Sequence, residues 1–158
     1  MTTATTGIYH STFVIERIYD ATPARVFRAF ADEKAKALWF GGPDDVIHSG
    51  KSFDFRPGGH ETQTGLWPDG RKTEFDCRYY DIEPNQRIVY TYDMKINGER
   101  MSVSLAAIEI SVEGGKTKLK LTEQGAYFDG PDGAKGREHG TNWLMDKLGA
   151  SLTERLPA

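Results

Sequence analysis

Four side chains in this sequence could move protons: His60 and Glu61, just after an Arg-Pro-Gly-Gly turn, Glu109 in a largely apolar stretch, and His139 beside Glu138. General acid/base catalysis needs such a group held in a cavity that tunes its pKa. No motif selects among the four, so the catalytic residue is unknown and a surface position is the expectation for each; Glu109 is the most informative of them if buried. Cys77, the single cysteine, alternates with Phe75 and Tyr79 on an apolar face. A thiol there stays protonated and inert, a small core residue rather than a nucleophile. The histidines His10, His48, His60 and His139 show neither H-x-x-x-H nor H-x-x-E spacing, and Cys77 has no cysteine partner, so no metal site is expected. The glycines of GGHETQTGLWPDGRK lack the strand-to-helix setting of a phosphate-cradling loop, and no cofactor is expected. That segment reads as a long hairpin connection or an irregular edge strand, with Trp67 either folding over a cavity mouth or packing outside.

The tyrosines carry a different kind of chemistry. Period-two alternation puts Phe53 with Phe55, Phe75 with Cys77 and Tyr79, and Ile88 with Tyr90, Tyr92 and Met94 on shared faces. Lys51, Asp54, Arg56, Glu74, Asp76, Arg78, Arg87 and Asp93 take the opposite, wet faces. A buried phenol needs a hydrogen-bond partner where a phenylalanine does not. Tyr79, Tyr90 and Tyr92 therefore point to an interior holding water or a polar ligand group, unless their hydroxyls reach the sheet edge and the rings only fill core. In RMSVSLAAIEISVEGG, Met101, Val103, Leu105 and Ala107 share one face and Ser102, Ser104, Ala106, Ile108 and Ile110 the other. Parity does not choose the inner face, and the mixture of serines with apolar residues suggests a bulge near the middle.

Those faces need elements to position them. STFVIERIYD reads as a strand buried on both faces. Thr22 then caps a short helix with Pro23 at its first position and Val26, Phe27 and Phe30 at helical spacing. DEKAKALWF repeats the pattern: Asp32 as cap, Glu33 in the first turn, Lys34 and Lys36 outside, and Gly41-Gly42 as the stop. An antiparallel meander follows to about residue 123, with turns at EPNQ, INGE and EGGK. YFDGPDGAKG reads as a turn-rich connection. REHGTNWLMDKLGASLTERL reads as one long helix with Leu144, Leu148 and Leu152 in line and Trp143 beside them.

With 158 residues the chain is the length of one domain, 1–158, of which 1–7 is expected to be flexible. A net charge of −3 gives no electrostatic reason to expect nucleic acid as a partner, and the lysines of KTKLK read as the wet face of a strand. The first residues have neither a basic nor an apolar leader region, and no apolar run approaches the ~20 residues of a spanning helix. With one cysteine, this predicts a cytoplasmic protein without membrane insertion. The exposed edge beside the first strand leaves room for a homodimer.

Asp20, Ala21, Pro23, Val26, Phe27, Ala29, Phe30, Trp39 and Phe40, together with the closing EHGTNWLMDKLGASL, resemble the signature of the SRPBCC (START-like, birch-pollen-allergen-like) superfamily. The resemblance is strongest to the branch related to the heat-shock ATPase activator homology domain, and it covers nearly the whole chain. It implies an α+β helix-grip fold, a curved antiparallel sheet wrapped around the long C-terminal helix, with two short helices after the first strand. It also implies an elongated apolar cavity, for which the aromatic face supplies the lining: Trp39, Phe40, Phe53, Phe55, Phe75, Tyr79, Tyr90, Tyr92 and Leu105 with Trp143 and Leu144. Trp39 is expected to plug one end of the sheet first and to wall the cavity second. Fold does not decide function. The leading expectation is binding of a small, mostly apolar molecule, lipid-like or aromatic. A chaperone-associated module and a cyclase- or hydrolase-like enzyme using a cavity His or Glu are the alternatives.

Overall fold

The computed structural model describes residues 7–153. Most of segment 1–7, expected to be flexible, lies outside the described residues. The elements run β1 (Tyr9–Tyr19), α1 (Pro23–Ala31), α2 (Glu33–Ala37), β2 (Ile47–Phe53), β3 (His60–Leu66), β4 (Lys72–Glu83), β5 (Arg87–Ile96), β6 (Glu99–Glu113), β7 (Lys116–Tyr127) and α3 (Gly130–Ser151). The seven strands form one antiparallel sheet in the order β1-β7-β6-β5-β4-β3-β2. β1 closes the meander by pairing with its last strand, Ile15 opposite Leu121. Register shifts in β2 (between Ser49 and Ser52), in β4 (between Tyr79 and Asp81) and near the start of β6 (Met101, opposite Met94/Lys95) mark irregularities of the kind that bend strands and strengthen twist. The sheet curves around α3, the helix-grip arrangement.

Local chemistry explains the short helices. Thr22 accepts a hydrogen bond from the Arg25 amide at 3.1 Å, and Val26, Ala29 and Phe30 of α1 are buried. Asp32 ends α1 and caps α2, accepting from the Lys34 and Ala35 amides at 2.9 and 3.3 Å. One carboxylate thus satisfies two donors that a helix N-terminus leaves free. α3 is pinned to β1, where the Tyr19 hydroxyl donates to the Met145 carbonyl at 2.7 Å and Arg17 pairs with Asp146 at 3.1 Å.

Six expectations are corrected. β1 is an edge strand buried on one face only: Val14 and Ile18 are 51% and 50% exposed. Segment 60–66 is a regular strand between β2 and β4, neither a loop nor an edge. β6 pairs with β7 without interruption from Ser102 to Glu113, so no bulge lies at its middle. Its serine face is the inner one, and Leu105, 39% exposed, points away from α3. α3 begins at Gly130, seven residues before the expected start, because Pro131 and Asp132 suit a first turn despite the flanking glycines. Lys36 is buried instead of outside, since the inner end of β3 presents a carboxylate to it.

Candidate functional site

Sheet, α3 and the segment after α2 enclose a cavity of about 470 Å³. Phe40, Phe55, Phe75, Tyr79, Tyr90 and Tyr92 form a continuous aromatic wall in which neighbouring rings meet edge-on or tilted, for example Phe40 with Phe75 at 5.0 Å and Phe55 with Tyr79 at 4.9 Å. Trp39 lies at one end, 3% exposed, its indole Nε1 donating to the Ala29 carbonyl at 2.9 Å and its ring packed edge-on against Phe30 and Phe40. It joins α1 to the cavity wall. Leu144 and Met145 face the cavity from α3, and Trp143, 41% exposed, stands at its rim beside Lys147. Trp67 also borders the cavity; it donates to Thr73 Oγ1 at 3.1 Å, carries Arg71 on its ring and lies against Gly42.

Of the lining residues expected from sequence, nine stand on this wall. Phe53 does not. It stacks on Phe55 at 6.0 Å and faces a shallow crevice beyond Lys36 and Glu61. Leu105 lies on the outer face of the sheet. Among the proton-moving candidates, His60 and Glu109 are exposed, His139 is exposed at the cavity border and Glu61 is buried. Cys77 is buried, and burial pushes its thiol up to about 12.

Two polar groups interrupt the aromatic wall. In the first, Glu61 Oε1 receives the Lys36 ammonium at 2.5 Å and the Tyr79 hydroxyl, and the Lys36 Nζ lies 4.4 Å from the centre of the Phe40 ring. The Lys36–Glu61 pair separates the cavity from the outer crevice, as Lys36 borders both. Burial, then the Glu61 charge, pushes the Tyr79 hydroxyl far above its ordinary pKa, so it remains a donor.

The second group joins Glu123 of β7, Tyr92 of β5, Ser102 of β6 and Arg137 of α3. The Tyr92 hydroxyl donates to Glu123 Oε2 at 2.8 Å, while Arg137 Nη1 donates to Ser102 Oγ at 2.8 Å and to the Tyr92 oxygen at 3.3 Å. Glu123 is 2% exposed; burial raises its pKa to about 7, with the Tyr92 hydrogen bond and the Arg137 charge opposing only in part. Sequence reasoning passed over this group although two signals were present. Glu123 shares strand parity with Thr117, Leu119 and Leu121, all buried. Arg137 precedes Thr141, Leu144 and Leu148 at helical spacing on the face toward the sheet. A carboxyl near half-ionisation beside a phenol and a guanidinium can exchange a proton or orient a polar ligand group.

A curved antiparallel sheet gripping a C-terminal helix around an aromatic cavity defines a helix-grip protein of the SRPBCC superfamily. The chain belongs to the family described as Activator of Hsp90 ATPase homolog 1-like protein, whose model matches residues 20–153. The fold of that family commonly binds hydrophobic ligands. Solved structures agree. Mll3558 protein from Rhizobium loti is 45% identical, with a TM-score of 0.84 over 92% of this chain and 99% of that one. A protein from Rhizobium leguminosarum is 39% identical, with a TM-score of 0.87 over 92% and 96%. CV1439 from Chromobacterium violaceum is 25% identical, with a TM-score of 0.78 over 91% and 98%. No curated protein matches the chain. Among the described residues no helix is long and apolar enough to cross a membrane.

Proposed function

We propose that the protein binds a small, mostly apolar molecule, aromatic or lipid-like, between the aromatic face of the sheet and α3. One observation carries this: a cavity of about 470 Å³ walled by rings, within the ~300–1,000 Å³ of small-molecule sites. A void forfeits the dispersion contacts that larger side chains would make across it, so keeping it open has a cost in stability that ligand binding can offset. Native mass spectrometry of the protein incubated with a metabolite extract tests the proposal. A retained small molecule is expected, and it is lost in Gly140→Phe, since Gly140 borders the cavity and a Cβ there meets nothing within 4 Å that would resist the added ring. Retention of nothing by the wild type overturns the proposal.

A second reading, an acid/base enzyme, draws on Glu123: a buried carboxyl on the cavity wall, raised to about 7 and fixed by Tyr92. Such a group could take a proton from carbon beside a ligand carbonyl. The probe is 2-tetralone in heavy water. Deuterium incorporation above the buffer rate that vanishes in Glu123→Gln supports this reading, and an equal rate with and without protein removes it. The family description also gives grounds for a chaperone partner. Binding alone, without a chaperone role, leaves the ATPase rate of a heat-shock chaperone unchanged on addition of the protein.

A further inference from the structure

Resting on the cavity-binding reading, we infer that the ligand is an organic acid, an apolar ring-bearing body whose carboxylate seats on Arg137. The cavity wall holds two cationic side chains of different standing, Lys36 buried and Arg137 half-buried. Lys36 is neutralised by Glu61 at 2.5 Å. Arg137 has no carboxylate within ion-pair distance among the described residues; its protein partners are two hydroxyls, Ser102 and Tyr92, and both bind the same nitrogen, Nη1. A guanidinium carries five N–H donors, so three remain on Nη2 and Nε. Its charge is permanent, and a planar fork of this kind matches a carboxylate bidentately.

The surroundings hold the guanidinium without neutralising it. The rings of Tyr92 and Tyr127 lie 5.6 and 5.9 Å from it. Ser102, fully buried at an inward position of β6 where an apolar side chain would ordinarily pack, fixes Nη1 and with it the direction of the fork. Glu123 is reached only through Tyr92, whose hydroxyl stands between the carboxyl and the guanidinium, and burial opposes its ionisation, so it offsets the Arg137 charge only in part. The remaining guanidinium N–H groups are not enclosed by protein, so they stay accessible to a counter-charge entering the cavity. The adjoining wall of Phe75, Tyr90 and Leu144 receives the apolar body.

Isothermal titration at pH 7 with 2-naphthylacetic acid and 2-naphthylacetamide, similar in shape and different in charge, tests the inference. Wild type is expected to bind the acid at least tenfold more tightly than the amide, with the acid affinity alone falling as NaCl is raised. Arg137→Gln brings the two affinities together while keeping that of the amide, and Arg137→Lys retains part of the preference. The wild-type comparison stands even if a variant fails to fold. Equal affinities in wild type overturn the acid assignment and leave the cavity reading intact; an acid preference that survives Arg137→Gln overturns the assignment to Arg137. Binding of neither compound overturns both.

Discussion

Burial raises the Glu123 carboxyl to about 7 from the ordinary value of 4.5 that it regains on unfolding. Between those values the folded protein holds a proton that the unfolded chain has released, so stability falls as pH rises through this window. The contribution is fully present below about 4.5 and lost above about 7, and the difference is about 3 kcal/mol at one pKa unit per 1.36 kcal/mol. Glu123→Gln is expected to remove this falling slope, leaving the variant the more stable of the two at pH 8; urea denaturation from pH 4.5 to 8 checks it. Lys36 makes the opposite point. Lys36→Met strands the Glu61 carboxylate with only Tyr79 as donor, and a loss of about 3–5 kcal/mol is expected. Adding Glu61→Gln, which removes the buried charge, should recover at least about 2 kcal/mol of it; a double variant no more stable than the single one counts against the pair as a coupled unit. Both residues stood in plain view as charges in the sequence, but only Glu123 sat at an inward parity. Lys36 is turned inward by a partner 25 residues away, and no local period records that.

α3 carries glycines whose environments differ sharply. A Cβ on Gly140 meets nothing within 4 Å, whereas one on Gly149 would lie 2.9 Å from the Tyr19 ring, the ring whose hydroxyl holds the helix to β1. Gly140→Ala is therefore expected to stabilise by about 0.4–1 kcal/mol through the unfolded chain. Gly149→Ala should destabilise despite the same gain in helix propensity, because helix and strand must move apart. Chemical denaturation of the two variants separates these effects, and equal shifts would show that the α3–β1 contact is looser than its geometry. The elements themselves were largely legible. Thr22, Pro23 and Asp32 announce two helices by chemistry that acts within one turn, and the turn residues of the meander act within four. The start of α3 was misplaced because local turn signals in FDGPDG compete with a helix that packing completes.

The whole molecule is a sheet, a helix and the space between them. A ligand that binds only the folded state raises its stability by about 2.7 kcal/mol at one hundred times its dissociation constant, so a ligand recovered from the cavity should raise the melting temperature progressively with concentration. The same addition should leave Gly140→Phe unmoved. Thermal scanning across a concentration series checks this, and a parallel rise in the filled variant would place binding elsewhere. The sequence by itself determined the order of elements, the family signature and the aromatic content of one sheet face, because caps, turns and strand alternation are short-range and each leaves its period in the chain. Only the tertiary structure decided that β6 turns its serines inward and Leu105 out, that Phe53 faces a crevice beyond the Lys36–Glu61 pair, and that Glu123 and Arg137 meet on either side of Tyr92. Those outcomes depend on strand register and on the seating of α3 over the curved sheet. Contacts between residues 31 or 45 positions apart, as between Tyr92 and its two charged partners, leave no periodic trace from which they could be read.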